Sequence, residues 1–379
     1  MIARRTLLLP VAVGLAMPRI ARAAAPARLD DRTLNAIRQQ IMGFMTSHGV
    51  PGLSIAMGKA GRLAYAEAFG YADTARREQL TPDHLMRIAS VSKPITGTAI
   101  YTLIEQGKLA LGHRVFGPDG VLGTKYGAPP YRRFVSDITV EHLLTHTSGG
   151  WPNMAGDPMF QSPGLSADAL ITHYLAGTNL VPPGSRYAYS NFGYCILGRI
   201  IERITGKPYA TAVMELVLAP AGATSMRVGG NSLMDRLPRE SLYYGTGGED
   251  PYTMNIARMD AHGGWVATPR DLVRFAMHAL GDRQPRLLKP AMVASMSQGS
   301  GANPGYAKGW SLTMGNRWHN GSLPGTTSVL VRTRGGECWA LICNMRRDAN
   351  TLGEALDALG WAAAAHVNWW PTEDLFSTT

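Results

Sequence analysis

Arg87-Ile88-Ala89-Ser90-Val91-Ser92-Lys93-Pro94 is the stretch on which the reading of this chain turns. A serine and a lysine three residues apart head a run, to about Gln106, with the spacing of a helix. On a helix, positions 90 and 93 share one face, with Cβ atoms about 5–6 Å apart. A hydroxyl is a weak nucleophile until a nearby base takes its proton, and an amine one turn away can help. Pro94 is tolerated only within about the first helical turn, so it pins the helix start close to Ser90. The free N–H groups and positive end of the helix then lie beside the hydroxyl. With 20 Ser and 7 Lys in the chain, one S-x-x-K arises roughly 0.4 times by chance, so the motif gains weight only from its surroundings.

Upstream, residues 30–48 carry helical spacing (Leu34, Ile37, Ile41, Phe44 or Met45) and stop at Gly49 and Pro51. Leu53, Ile55 and Met57 then alternate with smaller residues, Lys59-Ala60-Gly61 turns, and Leu63 and Tyr65 resume the alternation, which predicts a hairpin. Downstream, the texture from 108 to 255 is short helical pieces broken by Gly and Pro clusters. Thr139 to Thr145 and Ser190 to Thr205 stand out, and Thr268-Pro269-Arg270-Asp271 reads as a capped helix start. Trp310 to Met314, Trp318 to Ser322, Thr326 to Thr333 and Glu337 to Met345 read as strands, the last two joined by Arg334-Gly335-Gly336. A final helix runs from about Gly353 to Asn368. The prediction is an α/β fold: one antiparallel sheet of at least five strands, terminal helices on one face and the Ser90 helix on the other. The expected division is a sheet domain from 24–107 and 256–379, with a mostly helical domain, 108–255, inserted.

At 379 residues, with 45% hydrophobic and 17% charged side chains, the composition is that of a globular protein with ample core. Arg4-Arg5, an apolar run from Leu7 to Met17 and a small-x-small site at Ala21-Arg22-Ala23 predict a secretory signal peptide over residues 1–23. The paired arginines are compatible with a twin-arginine signal. The expected location is periplasmic or secreted, with no stable membrane anchor after cleavage. Removing this segment takes four positive charges from the formal +10. The remaining basic residues are scattered, which gives no nucleic-acid footprint. Cys195, Cys338 and Cys343 read as buried small hydrophobes, with the last two on opposite faces of one strand. No Cys and His spacing suits a metal, and no cofactor is expected.

Two further elements carry chemistry. Tyr189-Ser190-Asn191 is the single Y-x-N in the chain. A tyrosine near Lys93 would have its phenolate favoured by the positive charge and could act as a general base. The asparagine can donate to a substrate carbonyl and accept from the lysine. The second element is His319-Asn320-Gly321-Ser322, on a predicted strand where Gly321 would let a substrate approach the backbone. His262-Gly263-Gly264 is a second H-x-G, read as a tight turn before the Thr268 helix. His113, His142, His146 and His173 have structural readings.

In this order and spacing, the three elements resemble the serine β-lactamase and penicillin-binding protein superfamily. The nearest branch holds class C β-lactamases, D-alanyl-D-alanine carboxypeptidases and related esterases. The resemblance covers roughly residues 30 to 345 and extends to Leu143 through Gly149, Pro183-Gly184, and Gly263-Gly264 with Thr268 and Asp271. It implies Ser90 as the nucleophile that becomes acylated, Lys93 as its helper in deprotonation, and Tyr189 as proton shuttle. Asn191, His319, Gly321 and Ser322 would bind substrate, with the N–H groups of Ser90 and Ser322 as oxyanion hole. Which of Lys93 and Tyr189 is the base stays open, because a coupled pair titrates jointly. Class C β-lactamases have Lys-Thr-Gly where this chain has His319-Asn320-Gly321, and a largely neutral histidine supports a substrate carboxylate more weakly. The implied activity is an exported serine hydrolase on a D-Ala peptide, ester or β-lactam. It is first carboxypeptidase-like, then carboxylesterase, class C-like β-lactamase, or a penicillin-binding sensor that acylates without turnover. The loops around Trp151 and Tyr243-Tyr244 are expected to shape the pocket.

Overall fold

Asp30 caps the first helix by accepting from the Thr33 N–H at 2.8 Å, and Gly49 ends it in the left-handed region at φ 64°. The computed structural model describes residues 27–177, 180–347 and 351–377; the signal peptide expected over 1–23 lies outside them. In chain order the elements are α1 (Asp31–His48), β1 (Gly52–Lys59), β2 (Arg62–Asp73), β3 (Glu78–Gln79), β4 (Met86–Arg87) and α2 (Ser92–Glu105). Then come α3 (Val140–Leu144), α4 (Ala167–Gly177), α5 (Asn191–Thr205), α6 (Tyr209–Val213), β5 (Arg227–Val228), β6 (Trp265–Ala267), α7 (Pro269–Ala279) and α8 (Pro290–Met296). The chain closes with β7 (Ser311–Thr313), β8 (Asn316–Leu323), β9 (Thr326–Arg332), β10 (Glu337–Cys343) and α9 (Thr351–Ala365).

The main sheet has seven strands in the order β3-β2-β1-β10-β9-β8-β7, every neighbouring pair antiparallel. Period-two alternation sorts its side chains. Leu53, Ile55, Met57, Val329, Trp339, Leu341 and Cys343 face α1 and α9, where Ile37, Ile41, Leu352 and Leu356 cover them. Ala56, Leu330, Cys338, Ala340 and Ile342 face the other way. The two strand cysteines therefore point to opposite faces, and all three cysteines are buried and free.

The expectation that the Ser90 helix covers this second face needs correction. The helix lying directly on β1 and β10 is α7, whose Leu272, Phe275 and Ala276 are buried there. Thr268 starts it as predicted, its hydroxyl accepting from the Asp271 N–H at 3.1 Å with Pro269 at the first helical position. Helix α2 instead packs mainly against α5, α6 and α8, while the turn at its start lies against β8 and β9 of the main sheet. The physical reason is that α2 is buried over almost its whole circumference, which requires helical neighbours on all sides. A small second sheet, β4-β6-β5, ties the strand leading into Ser90 to β6: Arg87 pairs with Val266, and the Ile88 N–H donates to Trp265 O at 3.0 Å.

Candidate active site

Ser90 sits in the middle of a single tight turn, Ala89–Val91, that runs directly into α2. The turn is held in a costly conformation: Ala89 has φ 47°, in the left-handed region, which costs a non-glycine residue about 1–3 kcal/mol unless its surroundings fix it. Strand β9 supplies that fixing. Thr326 Oγ1 donates to Arg87 O at 2.6 Å, and Ser328 Oγ donates to Ile88 O at 2.7 Å. Buried Arg87 lies over the Tyr243 ring at 4.3 Å and donates to Pro251 O at 2.5 Å. Gly321 of β8 lies against the same turn, since a Cβ there would stand 2.2 Å from Ile88 O. The glycine thus lets the Ala89–Val91 turn, as well as any substrate expected to approach the backbone here, come close to the sheet.

Lys93 is fully buried, with its ammonium nitrogen 3.0 Å from Ser90 Oγ, 2.6 Å from Asn191 Oδ1 and 3.0 Å from His262 O. Burial pulls its pKa down to about 7, partly opposed by the Asp157 carboxylate. Asn191 is fixed at both ends, because its Nδ2 donates to Asp157 Oδ2 at 2.6 Å. Ser190, the cap of α5, accepts from the Gly193 N–H at 3.1 Å and so brings Asn191 to the first position of that helix. Asp157 was not found from the sequence, where nothing marks a lone aspartate in a Gly- and Pro-rich loop. The His262 carbonyl was missed too: the turn reading of His262 is right, but the backbone of that turn is one of the three partners of Lys93.

The Tyr189 side chain lies beside Ser90, close enough to influence its titration, and the Lys93 nitrogen stands 4.8 Å from its ring centroid. Burial raises the Tyr189 pKa far above its ordinary value, and the Ser90 contact opposes this only in part. The phenolate expected beside a charged lysine is thus disfavoured, because the partly buried phenol loses solvation of its charged form while the fully buried Lys93 tends to give up the charge that would favour it. His146 backs this loop: its Nδ1 accepts from the Ser190 N–H at 3.1 Å and its ring lies 4.2 Å from that of Tyr189.

His319 is 2% exposed, with both ring nitrogens already bonded. Nδ1 lies 2.7 Å from Asn320 O, so it carries the proton, and Nε2 accepts from the Tyr306 hydroxyl at 3.1 Å. Burial, with the nearby Lys93, holds its pKa down to about 3. A neutral, saturated, buried ring has nothing to offer a substrate carboxylate, so the binding role expected for His319 is replaced by that of a positioning residue behind Tyr189, 6.3 Å away between ring centroids. His319→Asn is expected to lower kcat/KM by about ten- to a hundredfold, by the same factor for acidic and neutral substrates. Steady-state comparison of such a pair checks this; a loss confined to the acidic substrate would restore direct contact.

Ser90 and Ser322 line one cavity of about 380 Å³ with Asn191, and Phe160, Met254, Met259 and Leu323 supply apolar wall. Trp151 packs on Phe192 at 5.0 Å between ring centroids, and Tyr243 bonds the Arg87 N–H at 2.9 Å. Both side chains are buried and do not line the cavity, but the loop that follows Trp151 does shape it, through Asn153 and Phe160. Arg346, three residues beyond β10, is the one charged side chain among the lining residues. Among the described residues, no group of three or more His, Cys, Asp or Glu is gathered as for a metal ion.

A model of the family described as Beta-lactamase matches residues 37–373. Penicillin-binding protein 4 of Amycolatopsis lactamdurans is 30% identical over 296 residues, covering 73% of this chain and 74% of that protein. Esterase EstB of Burkholderia gladioli is 33% identical over 178 residues, 43% of this chain and 43% of EstB, so the match spans less than half of that relative. In structure, D-amino acid amidase from Ochrobactrum anthropi SV3, complexed with L-phenylalanine amide, has a TM-score of 0.72 at 25% identity, covering 89% of this chain and 99% of the amidase. The family match over most of the chain, with an antiparallel sheet and a serine–lysine–tyrosine cluster beside it, leads to one conclusion: the chain belongs to the Beta-lactamase family of serine hydrolases.

Proposed function

We propose that the protein cleaves uncharged esters or amides through an acyl-enzyme on Ser90, with Lys93 as the base. The observation that carries this is the set of partners around a lysine whose pKa falls to about 7. Asn191 Oδ1 and His262 O can only accept. A neutral amine has two N–H groups, and they satisfy these two acceptors; its lone pair is left facing the Ser90 hydroxyl. Lys93 takes the Ser90 proton as Oγ attacks the substrate carbonyl. The oxyanion would be met by the N–H groups of Ser90 and Ser322. Tyr189, kept protonated by burial, passes a proton to the leaving group as its bond to the carbonyl carbon breaks. Water then attacks the acyl-enzyme, giving up its proton to the same pair, and the acid departs with Ser90 restored.

The apolar wall and neutral His319 support an uncharged substrate with an apolar acyl group, as an esterase or amidase takes. D-alanyl-D-alanine carboxypeptidase activity is the second reading, supported by the likeness to penicillin-binding protein 4. The test incubates the protein with a fluorophosphonate, penicillin, p-nitrophenyl esters and a D-Ala-D-Ala peptide, following intact mass and product release together. A Ser90 adduct with ester turnover is the expected result. Absence of any adduct on the Ser90 peptide would sink the acyl-enzyme reading, and a persistent penicilloyl adduct without turnover would favour a sensor. Export is proposed from the sequence of residues 1–23, and N-terminal sequencing of the protein from its host, starting after Ala23, checks it.

A further inference from the structure

Arg346 brings a guanidinium to a cavity that is otherwise uncharged, yet that guanidinium is already engaged. Glu249 accepts from its Nε at 3.2 Å and, more closely, from a terminal nitrogen of the same fork. The Arg346 side chain is 18% exposed and that of Glu249 39%, so the arginine is the partly buried member and the glutamate caps it from the solvent side. A carboxylate bonded to two nitrogens of one guanidinium is the arrangement that a substrate carboxylate would itself adopt.

The chain holds Glu249 in place by backbone. Thr246-Gly247-Gly248-Glu249 turns tightly, with Gly247 and Gly248 at φ 65° and 85° and the Glu249 N–H donating to Thr246 O at 3.3 Å. Two successive left-handed residues favour glycine, which has no Cβ to clash. The loop is then stitched beside the arginine: Thr246 Oγ1 donates to Arg346 O at 2.7 Å, and the Tyr244 N–H donates to Asn344 O at 2.9 Å. Glu249 therefore sits opposite Arg346 at high local concentration, where a free acid has to compete with it.

We propose that Glu249 determines substrate class: its carboxylate fills the anion position of Arg346, so the Ser90 cavity accepts neutral substrates and disfavours those bearing a carboxylate. The inference rests on the Ser90 cavity being the substrate site, as argued above. It accounts for a family member with an arginine at the cavity and no free cation to offer from it. An ion pair that only staples the loop to the chain just beyond β10 would influence stability without discriminating acids from their neutral analogues.

The test compares phenylacetate with phenylacetamide by calorimetric titration, in a Ser90→Ala background where no turnover occurs, and compares mono-p-nitrophenyl succinate with p-nitrophenyl butyrate kinetically in the Ser90 protein. With Glu249 present, the acid is expected to bind no better than the amide. Glu249→Gln shifts the acid-to-amide affinity ratio, and the matching ester ratio in kcat/KM, about ten- to a hundredfold toward the acid, the range of a hydrogen-bonded charge pair. Glu249→Asp retains the original ratio, and adding Arg346→Gln to Glu249→Gln abolishes the gain. An affinity ratio within about twofold of the parent in Glu249→Gln, or a gain that survives loss of Arg346, overturns the proposal. If neither ester is turned over, the hydrolase reading fails on its own, while the calorimetric ratio still decides the role of Glu249.

Discussion

Lys93→Arg is expected to lower kcat/KM by on the order of 10²–10⁴-fold, the range that a positioned general base supplies. The substitution keeps the positive charge and loses the proton acceptor, because a guanidinium does not deprotonate at accessible pH. If Tyr189 were instead a phenolate held by the positive charge of residue 93, arginine would preserve much of that role and the loss would be small. The pH profile gives the same discrimination. With the Lys93 pKa pulled down to about 7 from 10.5, kcat/KM of the parent protein should rise tenfold per unit through acid pH and level off above about 7. A profile still climbing beyond pH 9 would give the base to Tyr189. Stability carries an independent sign. Between about pH 7 and 10.5 the unfolded chain binds a proton at this lysine that the folded chain does not, so folding stability rises with pH across that window and the group contributes nothing further above it. Relative to Lys93→Met, the parent should gain up to about 1.4 kcal/mol per pH unit there, measured by urea unfolding at several pH values.

Gly321→Ala is expected to cost about 10²–10³-fold in kcat/KM, with modest loss of stability. The new methyl group would stand 2.2 Å from Ile88 O and 2.5 Å from Ser328 Oγ. The first contact is to backbone, which cannot swing aside as a flexible side chain can. Strand β8 and the Ala89–Val91 turn must therefore separate by roughly 1 Å, a displacement that suffices for about a hundredfold loss when it moves a reacting atom. It would also separate Ser90 from Ser322, the two positions proposed to bind the oxyanion. Overpacking costs about 1–3 kcal/mol, so the variant should stay folded by circular dichroism while its fluorophosphonate labelling rate falls. An alanine variant with the parent labelling rate would mean that the turn tolerates the methyl and that Gly321 does not set the nucleophile's position.

The residues proposed to act on the reacting atoms were legible because their chemistry and local structure are written in short windows. Ser90, Lys93 and Pro94 fall in one helical turn, where spacing alone placed Ser90 and Lys93 on a common face, and Tyr189 and Asn191 form one short motif around the cap of α5. The antiparallel sheet was readable for the same reason, since Leu53, Ile55 and Met57 alternate with the strict period of a strand. Those inferences need only the geometry of the chain over a few residues.

Burial and long-range pairing were not written there. His319 looks like a ligand in sequence and becomes a saturated, neutral ring because Tyr306, 13 positions earlier, closes over its second nitrogen. Asp157 reaches Asn191 across 34 positions, and the His262 carbonyl reaches Lys93 across 169. The proposed choice of base has the same cause: a fully buried lysine and a partly buried tyrosine lose solvation of their charged forms, which favours the amine as acceptor and the phenol as donor. By itself, then, the sequence determined the proposed nucleophile, its helix and the class of fold, because these depend on local periodicity. Tertiary structure decided which groups are charged, which are already bonded, and which face the cavity, because desolvation and hydrogen-bond saturation arise only when distant segments pack together.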